Sequence, residues 1–117
     1  MYIAIDFDGT IVEDKYPGIG NLLPHAKEVI NVLHSQGHKI LIWSCRQGED
    51  EMRAKQFLIR NRIHYDYFNE NHHDLKNKYQ NDCRKLGADL YIDDKNIFSD
   101  GINWLRIYNY FEEGTVR

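Results

Sequence analysis

The sequence predicts an α/β fold, a three-layer sandwich around a central parallel sheet. Three observations carry that expectation. Short apolar runs rich in strand formers stand at Tyr2 to Phe7, Ile40 to Trp43 and Ala88 to Ile92. Between them lie stretches whose apolar residues recur at helical spacing, and strands alternating with helices imply crossovers and a parallel sheet. Each of these strands also ends in polar residues, first Asp6-Phe7-Asp8-Gly9-Thr10, then Ser44, then Asp93-Asp94.

Taken in order, the first strand covers Tyr2 to Phe7. Glu13 to Leu23 holds Pro17, Gly18 and Gly20 without a helical period and reads as a loop. Pro24 suits a first helical turn, and the helix runs to about Gln36 with Ala26, Val29, Ile30 and Leu33 on one face and Gly37 as its stop. Ile40 to Trp43 is a continuous apolar run, the mark of a central strand buried on both faces. A polar turn at Arg46-Gln47-Gly48 precedes a second helix from about Glu49 to Asn61, whose buried side is Met52, Ala54, Phe57, Leu58 and Ile59. Tyr65 to Phe68 is a short third strand, and Asn69 to Asp74 a polar loop. Leu75 to Leu86 is a weak helix stopped by Gly87, and Ala88 to Ile92 is the last strand. Asn103 to Glu113, with Trp104, Leu105, Ile107 and Tyr108, is a closing helix packed on the sheet.

With 117 residues, the chain suits one domain, 1–117, without room for an inserted second one. Its net charge of -3, with Lys and Arg scattered, gives no support for a nucleic-acid surface. No apolar run reaches the length of a membrane span, and no signal peptide precedes the first strand. Cys45 and Cys83 are the only cysteines, which points to reduced thiols and a cytoplasmic protein.

The chemistry concentrates at the strand ends. Asp6 and Asp8, two residues apart on a strand, share a face, and Gly9 lets the chain turn away. In a parallel sheet all C-terminal strand ends lie along one edge, where open α/β sheets bind ligands. Asp6, Asp8, Ser44, Asp93 and Asp94 can therefore converge, and four carboxylates together call for a hard divalent cation held through oxygen, most simply Mg²⁺. Bland readings compete: Asp93-Asp94 as a turn or helix cap, Ser44 as a turn residue, Arg46 as a surface ion pair or a guide for an anionic substrate. His72 and His73 beside Asp74 lack the spacing of a zinc site and read as solvated.

The order of these motifs resembles the haloacid dehalogenase (HAD) superfamily of phosphohydrolases: Asp-x-Asp-Gly-Thr after an N-terminal strand, a Ser after the second strand, a Lys, then Asp-Asp. The run Leu41 to Arg46 and the run Ala88 to Asn96 look like small bacterial and phage members without a cap domain. The resemblance spans Asp6 to Asp94. It implies a Rossmann-like core and Mg²⁺-dependent hydrolysis of a phosphorylated substrate. Asp6 would be the nucleophile, forming an aspartyl-phosphate, and Asp8 the general acid and base. Mg²⁺ would be held by Asp6, the Asp8 carbonyl and Asp94, with Asp93 assisting. Ser44 would bond a phosphoryl oxygen, and Lys85 would neutralise phosphoryl charge, with Lys78 or Lys76 as substitutes. Gly9, Thr10, Ser44 and Arg46 would border the substrate, and Tyr16 to Gly18 occupy the place of a flap. An open site of this kind would take a large substrate or be covered by a homo-oligomer.

Other classes fit less well. A phospho-receiver domain has a similar sheet, acidic pair, Ser and Lys, but places its acceptor Asp after a middle strand. A tyrosine phosphatase needs a phosphate loop between its Cys and Arg, and a P-loop enzyme needs a glycine-rich loop ending in Gly-Lys; neither occurs. A HAD-like or receiver-like domain that binds phosphate or Mg²⁺ for regulation, without turnover, is the remaining alternative.

Overall fold

In the computed structural model, which describes residues 1–113, eight elements alternate as the sequence pattern requires. They are β1 (Tyr2–Asp6), α1 (Ala26–Ser35), β2 (Lys39–Trp43), α2 (Gly48–Arg60), β3 (Tyr67–Phe68), α3 (His73–Tyr79), β4 (Leu90–Ile92) and α4 (Trp104–Glu112). The strands form one four-stranded sheet in the order β3-β2-β1-β4, with every pairing parallel. The result is the expected Rossmann-like three-layer sandwich. No helix among the described residues is long and apolar enough to cross a membrane.

Strand periodicity decides what each face buries. Ile3 and Ile5 of β1 and Ile40 and Ile42 of β2 point to one face, where they join Val29, Ile30 and Leu33 of α1, Ala54 and Leu58 of α2, and Trp104 and Phe111 of α4. Ala4 and Leu41 point to the other face and meet only a small cluster with Leu86. Right-handed crossovers explain the imbalance. The chain steps from β1 to β2 to β3 in one direction, so α1 and α2 share a face. It then returns past both strands to β4, which puts α3 on the opposite face, where Tyr2 stacks on His72 at 3.6 Å.

Several elements differ from expectation, for local reasons. α1 begins at Ala26 rather than Pro24 because His25 is left-handed, at φ 67°. β3 and β4 each begin two residues late, for a shared reason. The Asp66 carboxylate accepts from the Ile40 N–H at 2.8 Å while the Asp66 N–H donates to Ile40 O at 2.9 Å. Asp89 does the same to Tyr2, at 2.7 Å for each bond. In both cases a side chain takes the place of the strand's first backbone acceptor.

α3 runs from His73 to Tyr79, not Leu75 to Leu86, and ends where Gln80 turns left-handed at φ 60°. Gly87 is therefore not its stop. A Cβ there would meet the Leu75 side chain, so glycine lets the last loop press against α3. In α2, Met52 and Ile59 are exposed and only Ala54 and Leu58 are fully covered, because its buried stripe is narrower than the expected one. Leu105 of α4 is also largely exposed.

The Asp66 and Asp89 carboxylates each satisfy a neighbouring strand's N–H, and leaving such a donor without a partner costs about 1–3 kcal/mol. Asp66→Ala should lower stability by about 1–2 kcal/mol in urea unfolding, and Asp89→Ala, whose bond to the Tyr2 N–H is open to water, by less. Unchanged midpoints would show that water replaces these acceptors freely.

Candidate active site

The C-terminal edge of the sheet gathers the acidic residues into an open cleft of about 400 Å³. Asp6 is the last residue of β1, and Asp93 and Asp94 follow β4 directly, with β1 and β4 paired side by side. One carboxylate oxygen from each of the three lies within 4.8 Å of the others. Burial, a hydrogen bond shared with Asp94 and the nearby charge of Asp93 push the Asp6 carboxyl up to about 7 from its ordinary 3.8. The Thr10 hydroxyl works the other way, donating to Asp6 Oδ2 at 3.1 Å.

A tight turn places Thr10. The N–H groups of Thr10, Ile11 and Val12 all point at Phe7 O, and Gly9 sits at φ 87°. A Cβ on Gly9 would collide with the Asp94 carboxylate, so glycine serves the turn and the close approach of Asp94 together. Thr10 is fully buried, and its hydroxyl accepts from the Asp94 N–H at 3.1 Å and lies 3.4 Å from Asp94 Oδ1. Its carbonyl accepts from the indole N–H of Trp104 at 2.9 Å. A core tryptophan on α4 thereby anchors the turn that spaces the acids.

Asp93 proves to be both a cluster member and a turn residue. Its Oδ1 accepts from the Lys95 N–H at 2.9 Å, and its carbonyl from Asn96 Nδ2 at 2.9 Å. The donor set, three carboxylates with Asp6 resisting ionisation in the absence of a cation, fits a hard oxygen-ligated ion such as Mg²⁺.

Asp8 faces a different partner. Arg46 is fully buried and donates from Nε to Asp8 Oδ2 and from Nη2 to Asp8 Oδ1, both at 2.8 Å. The guanidinium donates further to Pro17 O at 3.0 Å and Gly18 O at 2.7 Å. Hydrogen bonding to Asp8 raises the Arg46 pKa against the opposing effect of burial. Arg46 therefore neither lies on the surface nor borders the cleft, contrary to both sequence readings.

Ser44 lines the cleft, and its hydroxyl accepts from the Arg46 N–H at 3.0 Å. Asn69, directly after β3, clamps this turn: its Oδ1 accepts from Ser44 N at 2.7 Å and its Nδ2 donates to Arg46 O at 3.1 Å.

The lysines fall differently from expectation. Lys85 lies over the Tyr91 ring at 5.9 Å, Lys78 over Tyr79 at 5.2 Å, and Lys76 pairs with Glu70 at 3.2 Å. None of the three lines the cleft. Lys95 does, with its Nζ 3.8 Å from Asp94 Oδ2. Its place directly after Asp93-Asp94 was the available clue. Asn69 and Trp104 carried none, because their roles depend on partners 25 and 94 residues away. Cys45 is exposed at the rim, and both cysteines are free.

Fold and site together define a Rossmann-like α/β protein with a carboxylate centre at the carboxyl edge of its sheet. No family model matches the sequence, nor does any curated protein. A solved structure described as the conserved protein coded by locus from Bacteroides thetaiotaomicron superposes with a TM-score of 0.86 at 38% identity, covering 99% of this chain and 93% of that one. The chain belongs to the same family as that conserved protein.

The Asp6 carboxyl titrates near 7 folded and near its ordinary 3.8 unfolded. Between those values the folded, metal-free chain holds the extra proton, so this contribution to stability is lost as pH rises from about 4 to about 7. Mg²⁺ should reverse the trend, giving a Tm increase that grows from pH 5.5 to pH 8 and flattens in Asp6→Asn. An Mg²⁺ effect on Tm independent of pH would count against Asp6 as a ligand of the ion.

Proposed function

We propose that this chain is a Mg²⁺-dependent phosphomonoester hydrolase of the haloacid dehalogenase type, acting through an aspartyl-phosphate on Asp6. The observation that carries the reading is the carboxylate triad, one oxygen each of Asp6, Asp93 and Asp94 within 4.8 Å, at the carboxyl end of the first strand. Asp8 stands two residues away on the same edge, and Ser44 and Lys95 line the same cleft. The fold supports the reading, since the carboxyl ends of a parallel sheet are where such proteins bind ligands.

Asp6, Asp94 and Asp93 would hold the cation. Bound there, it would keep Asp6 ionised and draw charge from the phosphoryl oxygens. An Asp6 oxygen attacks phosphorus as the bond to the leaving oxygen breaks, and Asp8 gives that oxygen a proton. Asp8 then takes a proton from the water that attacks phosphorus and releases Asp6. Ser44 donates to a phosphoryl oxygen, and Lys95 offsets the charge that gathers in the transition state. Reduced Cys45 and Cys83 suit a cytoplasmic enzyme.

The test is Mg²⁺-dependent release of phosphate across a panel of phosphate esters. Asp6→Asn should remove turnover and remain folded by circular dichroism. Lys95→Ala should lower kcat by up to about tenfold, the scale of losing one solvent-screened charge, while Lys85→Ala leaves it within about twofold. The reverse ranking would return the role to Lys85. Wild-type protein that binds Mg²⁺ yet hydrolyses nothing would make this a phosphate- or Mg²⁺-binding regulatory domain.

A further inference from the structure

Arg46 lies beneath the cleft and joins two parts of it. Four hydrogen bonds leave its guanidinium: two go to the Asp8 oxygens, one to Pro17 O and one to Gly18 O. The same group packs 5.4 Å from the Phe7 ring centroid and 5.1 Å from that of Tyr16. Pro17 and Gly18 belong to the 13–23 connection, which overhangs the cleft with Asp14 and Tyr16. That connection has few other ties at its tip, chiefly the Tyr16 hydroxyl donating to Asp50 at 3.3 Å.

We propose that Arg46 is a positioning residue that orients the Asp8 carboxylate and locks the Tyr16–Gly18 flap to it as one unit. The inference rests on the hydrolase reading for its kinetic consequence, but its structural half stands without turnover.

The planar guanidinium fixes both Asp8 oxygens at once, which a lysine cannot do. Each oxygen keeps a second lone pair for a further hydrogen bond. Arg46 itself touches no reacting atom. Its work is to aim the carboxylate that hands a proton to the leaving oxygen, and to hold the flap over that transfer. A group misplaced by about 1 Å loses roughly 10²-fold in rate.

Arg46→Met and Arg46→Lys would be compared with wild type on esters of increasing leaving-group basicity, from 4-nitrophenyl to alkyl phosphates. Proton donation matters most for the basic leaving groups. Arg46→Met should therefore lose roughly 10²-fold in kcat on alkyl phosphates and about tenfold or less on the nitrophenyl ester, with KM little changed. Arg46→Lys should recover only part of the loss. A uniform loss across leaving groups would overturn the positioning role while leaving the hydrolase reading intact.

The flap is read separately by trypsin cleavage after Lys15, an exposed residue on it. Cleavage should accelerate in Arg46→Met and also in Asp8→Asn, whose change lies on the far side of the guanidinium. An unchanged rate in Asp8→Asn would show that flap and carboxylate are separate units. If Arg46→Met does not fold, Arg46→Lys carries the leaving-group readout, and Arg46→Lys and Asp8→Asn carry the cleavage readout. If wild type hydrolyses no ester, the hydrolase reading fails and the trypsin comparison alone decides the coupling.

Discussion

The structure turns on the crowding of carboxylates along one sheet edge, with Arg46 the single buried cation among the described residues to offset them. All-parallel pairing sends every strand end the same way, so Asp6, Asp93 and Asp94 meet whether or not their charges favour it. Like charges at that spacing cannot all stay ionised in a partly buried cleft without compensation. The chain answers unevenly. Asp8 has Arg46 on both oxygens, whereas Asp6 has the Thr10 hydroxyl, a hydrogen bond shared with Asp94 and a proton retained up to about 7. The exposed Lys95, 3.8 Å from Asp94, adds little in water. The cluster is thus left short of positive charge at the place where an external cation can enter.

The supporting architecture follows from connection handedness. Three helices cover the Ile3 and Ile5 face and build the main core, while the Ala4 and Leu41 face has α3 and a small cluster. The heavily packed face also supplies the site's rigidity. Trp104 reaches from that core to hold Thr10 O, and Thr10 spaces Asp6 from Asp94. A buried aromatic on the last helix thereby sets a distance between residues at the first and last strands.

Much of this was legible because it depends on local pattern. The buried runs Ile3 to Ile5 and Ile40 to Ile42 could hardly be anything but strands, and the α1 stripe of Ala26, Val29, Ile30 and Leu33 is buried throughout. The convergence of Asp6 with Asp93 and Asp94 followed from parallel topology alone. What escaped depends on side chains from distant segments. Asp66 and Asp89 shorten their strands by replacing a backbone acceptor, which no propensity encodes. Met52 and Ile59 have the right character for a core but lie outside the stripe that the sheet covers. Arg46 was misread because its burial requires the flap to return over it.

The Ser44-Cys45-Arg46 turn shows how one short segment serves both chemical halves of the site. Asn69 fixes its two ends, so Ser44 faces the cleft while Arg46 plunges beneath it to Asp8. Asp6 and Asp8 are only two residues apart, yet they reach opposite electrostatic surroundings through this arrangement. Asp6 shares its space with acids and lacks a permanent counter-charge. Asp8 is bound to a cation that is itself tied to the flap. A carboxylate that must exchange one bonding partner for another is best left without a fixed counter-ion, and one that must hold its direction is best pinned. The proposed division of work between two chemically identical side chains rests on this asymmetry, and Arg46 is the residue that creates it.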